Sequence, residues 1–169
     1  YNYATLVEKL SRWGELQHVL LPIGSVMNID DIELSTDDTN RLVKINFLGP
    51  VNMVKLLLSS CKKNATITGF GSIADARGRN ANIAYSAAKR ALRSFFESLR
   101  HNQAHSQRKI QFYILGYIDT QLSYGIKTPL PKANPDKVAR YVYSNRNKDF
   151  SSKYIPFYWK YLTFILKIL

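Results

Sequence analysis

The chain has 169 residues, a formal net charge of +12, 46% hydrophobic residues and 21% charged ones. That length suits one domain (residues 1–169) with a real core, and the composition is that of a globular protein, not a disordered one. A single cysteine, Cys61, excludes an internal disulfide framework and offers no metal-ligand spacing, which fits a reducing, cytoplasmic setting.

The opening residues are polar and aromatic, not a basic patch followed by an apolar run, so no secretory signal is expected. No stretch reaches the ~18 apolar residues that a bilayer span needs. The chain starts at Tyr1, not methionine, and is read as a fragment. Its positive charge would draw polyanions. The charge is spread over Arg77–Arg79, Lys89–Arg93, Arg100–Lys109 and Arg140–Lys153, with no long basic run. A solvated basic surface is the plainer reading, and a nucleic-acid partner rests on charge alone.

In chain order, residues 4–14 read as a short amphipathic helix stopped by Gly14, a C-cap residue type. Leu16–Leu21 is a compact apolar run ended by Pro22 and Gly24, as for a buried strand. A polar loop with Asp30, Asp31 and Glu33 leads to Ser35 or Thr36 as N-cap of a long helix over 37–61. Ala65–Phe70 is a β-branched strand ending in glycines, and a loop follows it to Asn82. A second long helix is expected over 82–105 and a third strand over Ile110–Leu115, closed by Gly116. Residues 120–135 read as loop, Pro135–Ser144 as a short helix and Tyr154–Phe157 as a last strand. Long helices between short buried strands imply an α/β fold with a parallel sheet.

Ligands of open α/β sheets sit beyond the carboxyl ends of the strands. Ser72 lies just past the second strand, and Tyr85 and Lys89 lie four apart at the start of the next helix, on one face. A free tyrosine has a pKa of ~10, and an ammonium one turn away favours the phenolate. A serine hydroxyl within reach would orient a carbonyl. Taken alone, the Y-x-x-x-K spacing is weak, because tyrosine and lysine are both common here.

The surrounding residues make a stronger pattern. Gly71-Ser72-Ile73-Ala74, then Tyr85-Ser86-Ala87-Ala88-Lys89-Arg90-Ala91-Leu92, resemble the strand-loop-helix signature of the short-chain dehydrogenase/reductase family. Asn46-Phe47-Leu48-Gly49 is similar to that family's helix asparagine, and Gly116-Tyr117-Ile118-Asp119-Thr120 to its P-G-x-x-x-T turn. The resemblance implies a three-layer, Rossmann-like parallel sheet and an NAD- or NADP-dependent oxidoreductase of carbonyls or secondary alcohols. It implies Tyr85 as acid or base, Lys89 as the group that lowers its pKa and holds the nicotinamide ribose, Ser72 as the carbonyl ligand and Asn46 as support for a proton-relay water. Gly24, Gly116, Ile118 and Thr120 would complete the cofactor site, and the family's habit implies a homo-oligomer.

The sequence departs from that pattern in three places. The family's T-G-x-x-x-G-x-G phosphate turn has no counterpart, since Gly14 is the only glycine before Gly24. Leu21-Pro22-Ile23-Gly24 stands for N-N-A-G and keeps only its glycine, and Leu115 replaces the proline before Gly116. The expectation is an N-terminally truncated sheet that holds NAD or NADP poorly by itself. A degenerate reductase fold acting as a binding or membrane-associated module is the competing reading.

The amphipathic tail 153–169 sets lysines at 153, 160 and 167 among aromatics and aliphatics. It suits either a peripheral contact with a membrane interface or a helix docked on the sheet or on a second copy. With the Ser72–Asn82 loop, it is similar to one subgroup of the family, the reductases of polyprenyl-phosphoryl 2-keto-pentoses. That likeness implies a small-molecule or lipid-linked carbonyl substrate, such as a sugar on a lipid phosphate.

Overall fold

The computed structural model describes residues 3–12, 14–27, 29–102, 107–125 and 127–168. Four strands, β1 (Leu16–Leu21), β2 (Cys61–Ser72), β3 (Lys109–Leu115) and β4 (Ser152–Ile155), form one sheet in sequence order. Every neighbouring pair is parallel. The expected α/β class with a parallel sheet is therefore what the chain adopts.

Parallel neighbours need crossovers, and five helices are described: α1 (Tyr3–Ser11), α2 (Thr36–Ser60), α3 (Ile83–Asn102), α4 (Pro135–Ser144) and α5 (Trp159–Ile168). Side chains alternate along a strand, so β3 sends Ile110, Phe112 and Ile114 to one face and Tyr113 to the other. The first face joins a core with Val51, Val54 and Leu57 of α2 and Leu92, Phe96 and Leu99 of α3. Tyr113 joins Phe70, Val138, Val142 and Ile155 beneath α4. Two cores separated by one sheet make the three layers.

Local chemistry explains the helix starts. Ser35 caps α2, its hydroxyl accepting from the Asp38 amide at 3.1 Å, with Asp37 and Asp38 in the first turn. Asn134 caps α4 and accepts from the amides of Asp136 and Lys137. By length and composition α2 is apolar enough to cross a bilayer, contrary to the expectation of no such stretch. Part of its apolar face is nonetheless packed on the sheet, where Val51, Val54 and Leu57 are buried with the strand residues.

Several boundaries differ from the sequence reading. β2 runs on through Ser72, which pairs with Leu115 of β3, so Ser72 closes the strand and is not in the loop after it. β4 lies two residues earlier than expected, at Ser152–Ile155. The expected end of the second long helix, at 103–105, lies outside the described residues.

The tail forms α5, which docks by one face. Trp159 and Thr163 are buried, while Tyr161, Phe164, Ile165 and Ile168 on the other face are exposed.

Candidate active site

A cleft of about 750 Å³ opens beyond the carboxyl ends of the strands. Its walls include Gly24, Ser72, Tyr85, Lys89, Gly116, Ile118 and Thr120. Seven of the eight residues singled out from the sequence therefore share one cavity. Asn46, the eighth, stands behind the wall.

Asn46 is fully buried in α2, inside a single π turn over Lys44–Leu48. Its Nδ2 donates to the Leu42 carbonyl at 3.0 Å and to the Ser25 carbonyl at 2.8 Å, and its Oδ1 accepts from the Ser25 amide at 3.1 Å. An amide that bonds the carbonyl one turn back competes with the backbone ladder, and a π turn marks such local irregularity. Three of its polar capacities are thus filled, two of them by the segment after β1.

Lys89 is 4% exposed. Its Nζ donates to the Ile23 carbonyl at 2.9 Å and the Phe70 carbonyl at 3.4 Å. Burial costs the ammonium its hydration and brings its pKa from 10.5 to about 8. Gly24 lies directly above it: a Cβ there would stand 3.2 Å from Lys89 Nζ and 3.4 Å from Asn46 Oδ1. Absence of that carbon keeps the ammonium open to the cleft.

Tyr85, one turn before Lys89 on α3, is buried to 8% exposure. Burial holds its phenol above the ordinary value, opposed by a hydrogen bond with Ser72 and by the Arg79 charge, and aided by Asp75. The Lys89 ammonium is 5.8 Å from the ring centroid and donates to two carbonyls. In the free cleft, burial is the largest influence on the phenol. Ser72 is oriented by the Ala74 amide, which donates to its Oγ at 3.1 Å and opens the turn Ile73–Ala76.

Gly116 touches the C-terminal helix. A Cβ on it would fall 2.1 Å from Trp159 Nε1, so only glycine lets the indole close over the turn. Ile118 pairs with Ala133 in a single parallel bridge. Thr120 donates its amide to Ser123 Oγ at 3.4 Å and leads a short turn over Gln121–Ser123.

Sequence reasoning passed over Asp30. Its carboxylate is 5% exposed and accepts from the amides of Ala84 at 2.8 Å and Tyr85 at 2.9 Å. Its carbonyl accepts from Ile83 at 3.1 Å. Three free N–H groups at the start of α3 are thereby satisfied from the loop after β1. Nothing local in the sequence signals a cap donated from more than fifty positions away.

Arrangement and chemistry agree: a phenol joined to a hydroxyl can pass a proton at a bound oxygen, and an ammonium beside a glycine-lined opening can hold a polar ribose-sized group. The model of the short chain dehydrogenase family matches residues 2–130. Dehydrogenase/reductase SDR family member 7B of Mus musculus is 34% identical over 94 residues, covering 54% of this chain and 29% of that protein. The chain thus spans less than a third of that relative's length. Carbonyl reductase family member 4 of Xenopus tropicalis is 24% identical over 148 residues, covering 82% of this chain and 63% of that protein. A short chain dehydrogenase from Burkholderia cenocepacia, solved in complex with NADP, superposes with a TM-score of 0.85 at 19% identity, over 98% of this chain and 72% of that one.

Proposed function

This chain belongs to the short-chain dehydrogenase family, and from that premise we propose that it carries the proton-transfer site of a nicotinamide-dependent oxidoreductase of carbonyls or secondary alcohols. One observation carries the reading: Ser72, Tyr85 and Lys89 line the same cleft, with Gly24 against the Lys89 ammonium.

The residues present fit the nicotinamide-ribose end of NAD or NADP. Lys89 Nζ would hold the ribose hydroxyls, Gly24 and Gly116 would admit the ring, and Ile118 and Thr120 would flank it. When bound, the nicotinamide supplies or takes up the hydride. Ser72 Oγ accepts from the Ala74 amide, which leaves its own proton to be donated to a substrate oxygen or to the phenol. Tyr85 Oη gives its proton to the oxygen of a carbonyl being reduced, or takes one from an alcohol being oxidised. A phenol held above its ordinary value by burial is a poor acid in the free cleft. Substrate and the Lys89 charge together must therefore favour its phenolate at the moment of transfer. Asn46 keeps the Ser25 segment, and through it the roof over Lys89, in place.

The proposed substrate is a sugar or a lipid-linked sugar. The cleft is bordered by apolar Leu20, Val26, Leu122 and Val138, which suit a lipid portion. The exposed aromatic and aliphatic face of α5, with Lys160 and Lys167 beside it, favours a peripheral membrane contact. Nicotinamide absorbance read with a panel of ketones tests the chemistry. Turnover by the parent that vanishes in Tyr85→Phe, with cofactor still bound, is the expected result. A Tyr85→Phe chain as active as the parent removes the reading. Sedimentation with anionic vesicles tests the contact, which fails if α5 lysine-to-alanine changes leave vesicle binding untouched.

A further inference from the structure

We infer that the cleft takes an acidic substrate, and that Arg79 recognises a carboxylate or phosphate group borne close to the reacting carbon. The inference rests on the proposed reductase reading and adds the class of molecule that reacts.

Among the described residues no aspartate or glutamate lines the cleft, and its cationic side chains are Arg79 and Lys89. Lys89 is engaged by two backbone carbonyls. Arg79 makes no hydrogen bond or ion pair among the described residues. The arginines of α3 differ in this respect. Arg90 donates to the Ala76 carbonyl, Arg93 is shared by Asp75 and Glu97, and Arg100 pairs with Asp149 at 2.7 Å.

Position gives that open charge its meaning. Arg79 sits in the loop that runs from Ser72 to the start of α3 and lines the same cleft as Ser72 and Tyr85. Much of the remaining wall is apolar, with Ile23, Val26, Phe70, Leu115 and Val138 among its members. Arg79 is itself exposed, at the rim of the cleft, so a ligand seated against those walls would meet its guanidinium while part of that group stays in water. A carboxylate or phosphate meets it with two parallel N–H···O bonds, the geometry that distinguishes arginine from lysine. Arg77, two residues earlier and equally exposed, lies outside the cleft wall, so it serves as the internal control.

The experiment measures equilibrium binding to the full chain with matched probes: acetoacetate against ethyl acetoacetate, and dihydroxyacetone phosphate against dihydroxyacetone. The acid member of each pair is expected to bind more tightly. Arg79→Ala should cut that preference about 10- to 100-fold, Arg79→Lys should restore part of it, and Arg77→Ala should leave it as in the parent. Vesicles with and without phosphatidic acid separate the sources. Arg79-dependent vesicle binding assigns the anion to a lipid headgroup, and Arg79-dependent binding of the soluble probes alone assigns it to a free metabolite. The inference is overturned if the parent binds neither acid, if it shows no acid preference, or if the preference survives Arg79→Ala. It is equally overturned if Arg79→Ala weakens NADP binding in place of acid binding. Binding is read without turnover, so a chain that holds the acids and never transfers hydride sinks the reductase reading alone.

Discussion

Replacing Lys89 with methionine tests how much the site costs the fold. The folded ammonium has a pKa of about 8 against 10.5 in its ordinary state. At about 1.4 kcal/mol per factor of ten, the buried charge costs the native state about 3 kcal/mol below pH 8. Between the two values the unfolded chain holds a proton that the folded chain has released. Stability therefore rises with pH across that window, and this contribution is lost as pH falls through 8. From about pH 7.5 to 9.5 the parent should gain about 2 kcal/mol from this group, roughly 4–8 °C in melting temperature for a chain of this size. Lys89→Met removes that gain. Tyr85 and Tyr113, both raised by burial, and Cys61, raised likewise, act in the opposite sense at high pH. They are common to both proteins and cancel in the difference. Urea unfolding of parent and variant at several pH values measures it. Parallel stability profiles would show that the ammonium keeps its full hydration, and the account of Lys89 as a strained, functional cation would be wrong.

Three further outcomes follow from the same contacts. Tyr85→Phe should lower single-turnover hydride transfer about 100- to 10,000-fold while helix content and nicotinamide affinity stay as in the parent. Asp30→Ala leaves the amides of Ala84 and Tyr85 without their acceptor and should cost about 1–2 kcal/mol in urea unfolding; Asp30→Asn, which keeps one acceptor oxygen, should recover part of it. Gly116→Ala puts a carbon 2.1 Å from Trp159 Nε1, so the indole must move: a loss of about 1–3 kcal/mol and a shift of tryptophan emission are expected, and an unchanged spectrum would mean α5 is not seated on this turn.

What the sequence disclosed and what it hid divide along a physical line. Periodicity and capping are local, so the helices over Thr36–Ser60 and Ile83–Asn102 and the strand over Lys109–Leu115 were visible within a few residues of their ends. The start of β2 was not, because Lys62, Lys63 and Asn64 have no strand propensity of their own; neighbouring strands supply the pairing, as between Leu16 and Cys61. The π turn at Asn46 is equally silent, since it depends on Ser25, twenty-one positions away. Co-location of Ser72, Tyr85 and Lys89 was legible because all three lie on two consecutive elements joined by one loop. The electrostatic sense of Tyr85 was not, because spacing says nothing of how dry a ring will be.

The segment after β1 explains why its sequence can drift while the site holds. No side chain of residues 22–25 reacts, yet Ile23 supplies a carbonyl to Lys89 and Ser25 supplies both an amide and a carbonyl to Asn46. These are backbone groups, available from nearly any residue, so Leu21-Pro22-Ile23 can stand where the family pattern has Asn-Asn-Ala. Gly24 has less freedom, for a methyl there would stand 3.2 Å from the ammonium and push it by a few tenths of an ångström. A few residues on, Asp30 reaches α3 and fixes the turn that bears Tyr85. One loop thus sets the height of the lysine, the orientation of the asparagine and the start of the tyrosine helix. From this loop the cleft takes mainly main-chain contacts, with the Asp30 carboxylate as the side chain that reaches α3.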